Sequence, residues 1–99
     1  MALVQKSTES GETTQLFIQF VMMQQQQALL ALGRHPSTPA GEPPKNLTLA
    51  KVFIDQLAMI RQKTDGNLNP AEHEVLSNVL SELEAVYLDV SKTHHAAPE

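Results

Sequence analysis

The sequence predicts an all-α fold of three helices: a long apolar first helix followed by an antiparallel helical hairpin. Three observations carry this. Apolar residues recur at spacings of three and four along two segments. The segments end at helix-stopping and helix-capping residues. A short connection from Thr64 to Asn69 joins the second and third segments as a hairpin.

The first helix is expected from Thr14 to Leu32, where good helix formers run without Gly or Pro, and Gly33 supplies a C-terminal stop. Residues 1–13 read as a flexible arm. They hold no basic region followed by an apolar run, so a secretory signal is not expected. Residues 34–46, "RHPSTPAGEPPKN", form a linker in which Pro36, Pro39, Pro43 and Pro44 forbid helix and favour extended chain. As polyproline-like chain, these thirteen residues reach about 40 Å. Helix one is thus free to lie on its own hairpin or to cross to a neighbour. The second helix is expected over 47–65, with Ala50, Phe53, Ile54, Leu57 and Ile60 as its apolar stripe and Gly66 closing it in the left-handed conformation. Asn69, Pro70 and Glu72 make the clearest local signal: an N-cap, a proline at the first helical position, and a capping-box acid. The third helix then runs to Ser91 on a stripe of Leu76, Val79, Leu83, Val86 and Val90, and residues 92–99 are expected to fray. The short connection from Thr64 to Asn69 makes helices two and three antiparallel neighbours.

Composition narrows the function. Ninety-nine residues make one domain. A formal charge of −4 argues against a nucleic-acid backbone as partner. With no Cys there is no disulfide, thiolate ligand or thiol nucleophile, which fits a cytoplasmic protein. The stretch "FIQFVMMQQQQALLALG" is too polar to span a bilayer. Gln24, Gln25, Gln26 and Gln27 step about 100° apart around the axis and form a complete polar band, whereas a span needs about 18 consecutive apolar residues. The block before the band points all round the helix, and one hairpin covers one side only. Phe17, Phe20, Val21, Met22 and Met23, with Gln24 and Gln27 pairing across or at the edge, are therefore the expected interface of a dimer or higher even oligomer.

The stretch "IDQLAMIRQKTDGNLNPAE" resembles the core motif of a bacterial family, domain of unknown function 1844: an Ile-Asp-x-Leu helix, then Lys-Thr-x-Gly-Asn-Leu, then an acidic capping residue. In this chain the motif falls on Ile54, Asp55, Leu57, Lys63, Thr64, Gly66, Asn67, Leu68 and Glu72. The apolar helix ending in "LALG" and Tyr87 also look like that family, and the likeness extends over about Thr14 to Ser91. It implies a short helical protein without an assigned activity. The glutamine run and the long linker depart from the pattern.

No catalytic, cofactor or metal site is expected. Asp55 follows Lys51 by one turn, as in a helical ion pair. The "KTDGN" turn lacks a surrounding Gly-rich phosphate loop. Glu72, His73 and Glu74 diverge too far around a helix to share an ion, and His35, His94 and His95 make no ligand pattern. Three functions are weighed. The first is a non-enzymatic, self-associating accessory or adaptor module with an unknown protein partner. The second is a small ligand-binding or enzymatic bundle using Asp55, Lys63 and Tyr87. The third is peripheral membrane binding through helix one, which lacks the Lys and Arg such helices usually carry.

Overall fold

A computed structural model describes residues 6–93, and side chains within 11–92. Three helices run in order, α1 (Lys6–Leu32), α2 (Leu47–Lys63) and α3 (Pro70–Thr93), with no strand among the described residues. Each helix packs on both others. The core is Val21, Ala28 and Leu29 of α1, Ile54 and Leu57 of α2, and Leu76, Val79, Leu80 and Leu83 of α3. A second cluster of Ala31, Leu32, Ala50 and Val90 closes the end where α1 meets the start of α2.

α1 begins eight residues earlier than the sequence predicts, inside the expected arm. Gly11 is an entropic cost of about 1 kcal/mol in a helix but not a stop, and no proline precedes it. α3 likewise extends to Thr93; residues 1–5 and the tail histidines His94 and His95 lie outside the described residues.

The linker is folded rather than extended. Gly33 has φ +73°. Its N–H donates to the Leu30 carbonyl at 3.1 Å, and that of Arg34 to Leu29 at 2.9 Å, the paired bonds of a Schellman stop. Turns at 35–38 and 39–42 bring the chain back, and the N–H groups of Lys45 and Asn46 both donate to the Ala31 carbonyl, at 2.9 and 3.0 Å. The Arg34 guanidinium donates to the carbonyls of Gly33 and Glu42, each at 3.3 Å. This return places α2 beside the end of α1, so α1 lies antiparallel on its own hairpin.

Asn46 caps α2, its side chain accepting from the Leu49 N–H at 2.9 Å. The other end differs from expectation. Thr64, not Gly66, is the stop: its hydroxyl and its N–H both donate to the Ile60 carbonyl, at 2.7 and 2.9 Å. Gly66 sits two residues later, with φ +87°, as the third residue of the turn closed by the Asn67 N–H on the Thr64 carbonyl. At α3 the capping box is reciprocal. The Glu72 N–H donates to Asn69 Oδ1 at 2.8 Å, and the Asn69 N–H to Glu72 Oε1 at 3.0 Å.

Candidate functional site

The capping box of α3 is also tied to α1. Thr14 of α1 reaches the α3 capping box: its hydroxyl donates to Glu72 Oε2 at 2.8 Å and accepts from Asn69 Nδ2 at 2.9 Å. Glu72, only 9% exposed, thus has both oxygens occupied. That arrangement leaves the carboxylate a structural clamp between α1 and α3. Nothing in the sequence periodicity singled out Thr14; its place one turn before Phe17 on the inward side of α1 is the available signal. Lys63, Asp65, Gly66 and Asn67 are exposed along the turn.

Asp55 and Tyr87 line one groove between α2 and α3, of about 290 Å³, with Lys51, Ile54, Glu84 and Leu88. Lys63 is not there, being two turns further along α2. Asp55 accepts from Lys51 Nζ at 2.8 Å, with both side chains more than half exposed. The Asp55 carboxylate, by that hydrogen bond and its charge, holds the Lys51 ammonium above its ordinary pKa. A wider open groove of about 690 Å³ lies on the other side of Asp55, and Arg61, Asp65 and His73 are among its lining. Among the described residues no three His, Asp or Glu side chains gather as metal ligands, and no helix is long and apolar enough to cross a membrane.

The glutamines divide among the neighbours. Gln24 Nε2 donates to Gln56 Oε1 on α2 at 2.9 Å, and Gln25 Nε2 to Glu82 Oε1 on α3 at 2.6 Å. Gln26 Oε1 bonds the His35 ring of the linker, whose other nitrogen bonds Ser37 Oγ. Gln27 is exposed.

The expected interface residues also divide. Val21 is fully buried in the intrachain core and so closed to a partner, and Phe17, which packs against that core, is partly buried. Phe20, Met22 and Met23 remain exposed. Phe20 and Gln27 stand four residues before and three after Gln24, so they flank it on the surface of α1. Val52 and Met59 stand at the same offsets from Gln56 on α2. Because the Gln24–Gln56 bond ties the two helices side by side, the two rows form one outer face. Leu16 and Met23 widen it on α1, and Leu49 on α2. These six large apolar side chains are between 42% and 64% exposed. No charged residue occurs from Thr13 to Gly33. The share of α2 was missed by a reading centred on helix one, although the spacing of Leu49, Val52, Gln56 and Met59 carries it.

A family model described as "Domain of unknown function (DUF1844)" matches residues 14–89. Searches of curated proteins and of solved structures found no match. The match begins at the Thr14 clamp, takes in all three helices and the capping box, and covers well over half the chain. The chain belongs to the DUF1844 family, domains of unknown function.

Proposed function

We propose that the protein is a small, non-enzymatic helical protein that self-associates through the outer face of α1 and α2, and that in the cytoplasm it serves as an accessory or adaptor module for another protein. The observation that carries this is the face itself: six large, half-exposed apolar side chains on two adjacent helices, the α1 part of it without any charged residue from Thr13 to Gly33. Full burial of such a side chain stabilises by about 1.5–3 kcal/mol, so the exposed halves are worth about 1 kcal/mol each. Two copies together would gain about 12 kcal/mol, against an association cost of about 4–15 kcal/mol. A dimer on this face is therefore stable only if the two faces meet over most of their extent.

Light scattering at micromolar concentration tests the reading. The expected mass is that of a dimer, or a higher even oligomer, and Met23→Glu is expected to give monomers. A monomeric wild type with a cooperative melt would overturn it. Flotation with anionic liposomes separates the membrane reading, which expects the wild type to float and Met23→Glu not to. Against an active site, Asp55 is paired and solvated, and Lys63 lies away from the groove that holds Asp55 and Tyr87.

A further inference from the structure

We propose that Asp65 and Gly66, in the turn between α2 and α3, form a self-modifying site: the Gly66 main-chain nitrogen closes on the Asp65 side chain to a cyclic imide, which water opens to isoaspartate.

Asp65 and Gly66 are the two central residues of the turn closed by the Asn67 N–H on the Thr64 carbonyl at 2.8 Å. Both are exposed. The Gly66 N–H donates to no partner among the described residues, and the Asp65 carboxylate has neither hydrogen bond nor ion pair there. The nucleophile and the carboxyl it attacks are therefore both uncommitted. They belong to consecutive residues, the separation that closes a five-membered ring. Gly66 sets no Cβ beside the attacking nitrogen, and nothing lies within 4 Å of where one would stand. Asp65 also lines the open groove of about 690 Å³, so water reaches it.

The other two aspartates of the chain supply the contrast. Asp55 and Asp89 sit inside α2 and α3. The nitrogens that would attack them, those of Gln56 and Val90, donate to helical carbonyls four residues back. Each of those residues also carries a Cβ.

The reaction needs no oxidant, metal or cofactor. The Gly66 nitrogen bonds to Asp65 Cγ, the Cγ–OH bond breaks, and the amide proton leaves with the hydroxyl as one water. Water then adds to one of the two imide carbonyls. Opening at Cγ restores aspartate. Opening at the main-chain carbonyl routes the chain through the side chain, and the former main-chain carbon becomes the free carboxylate. The net change is an isomerisation that lengthens the main chain by one methylene. That extra atom falls inside the ring closed by the Asn67–Thr64 bond, between the Thr64 stop of α2 and the Asn69 cap of α3. Loss of one such bond lowers Tm by about 4–8 °C in a domain of this size.

The full folded chain is incubated for days at mildly acid pH, with a second sample in urea. Isoaspartate is read by methyl transfer from S-adenosylmethionine with a purified isoaspartyl methyltransferase, and placed by electron-transfer fragmentation of the peptides. The folded chain is expected to gain label at Asp65 and none at Asp55 or Asp89, with a species lighter by one water as the intermediate. Asp65→Glu should abolish the label, because it would have to close a six-membered ring. Gly66→Ala should lose most of it while remaining folded. Label that appears only in urea, that is equal at the three aspartates, or that is confined to Asn67 would overturn the proposal. An unchanged Tm in the isomerised fraction would overturn the loosening of the turn and leave the modification standing.

Discussion

Replacing Gly33 by alanine probes the joint on which the whole arrangement of α1 turns. Two costs add. The first is the left-handed backbone, φ +73°, which disfavours a Cβ by about 1 kcal/mol. The second is steric. A Cβ at this position would lie 2.7 Å from the Pro43 carbonyl oxygen and 3.3 Å from Pro44 Cα. Both are backbone atoms of a proline pair whose fixed φ gives little room to yield. The returning linker must move away, loosening the bonds from Lys45 and Asn46 to the Ala31 carbonyl, each worth about 1 kcal/mol. The expected loss is about 2–3 kcal/mol, or a fall in Tm of about 10–20 °C for a domain of this size. Gly66→Ala supplies the internal comparison. Its φ is +87°, but nothing lies within 4 Å of an added Cβ. Only the backbone term applies, about 1 kcal/mol and about 4–8 °C. The assay is a far-ultraviolet circular dichroism melt of both variants at one protein concentration, so that assembly contributes equally. If Gly33→Ala melts no lower than Gly66→Ala, the close approach of the linker to the end of α1 does not exist in solution.

Thr14→Val should cost about 1 kcal/mol in urea unfolding, since it strips one partner from Glu72 and one from Asn69. Its effect should largely vanish in a Glu72→Ala background, because both act through one network; full additivity would refute the clamp. Asn69→Ala should cost about 1–2 kcal/mol as a lost N-cap. Asp55→Asn should leave the melt unchanged, the pair with Lys51 being solvated. The pair's sign follows from the raised Lys51 pKa: its contribution is present below the ordinary lysine value and fades as pH climbs through the raised one, so melts between pH 6 and 9 should not depend on it. Met59→Glu should dissociate the assembly as Met23→Glu does, whereas Ser81→Lys, on the exposed side of α3, should leave the mass unchanged in light scattering.

The hairpin was legible in the sequence because its signals are local. Asn69, Pro70 and Glu72 define a helix start through bonds spanning three residues, and the stripes of α2 and α3 repeat over several turns. The Lys63-to-Asn67 turn was harder. Both Thr64 and Gly66 are able to end a helix, and the choice fell to the Thr64 hydroxyl, which bonds the Ile60 carbonyl. Four prolines in the linker announce an absence of helix but not a path. The path comes from Gly33 and from Arg34, whose guanidinium reaches a carbonyl eight residues on. The start of α1 was misplaced because Gly11 weakens a helix without stopping it. Glu82 looks like an outward residue on α3 by its spacing, yet it accepts from Gln25, a partner 57 positions away that no periodicity announces.

The glutamine run gains its meaning from that same long-range pairing. A helix turns about 100° per residue, so four consecutive side chains leave in four directions. In α1 those directions are α2, α3, the linker and solvent, taken in turn by Gln24, Gln25, Gln26 and Gln27. An amide is long enough to bridge neighbouring elements, and it does so without a charge that would have to be dehydrated or balanced. Four leucines in these places would bind the same neighbours with no preference for depth or rotation. The amides instead hold α1 at one rotation on its hairpin. That rotation buries Val21 and turns Leu16, Phe20 and Met23 outward beside Val52 and Met59. The polar band and the apolar face are therefore one feature: fixing the first decides which side chains make up the second.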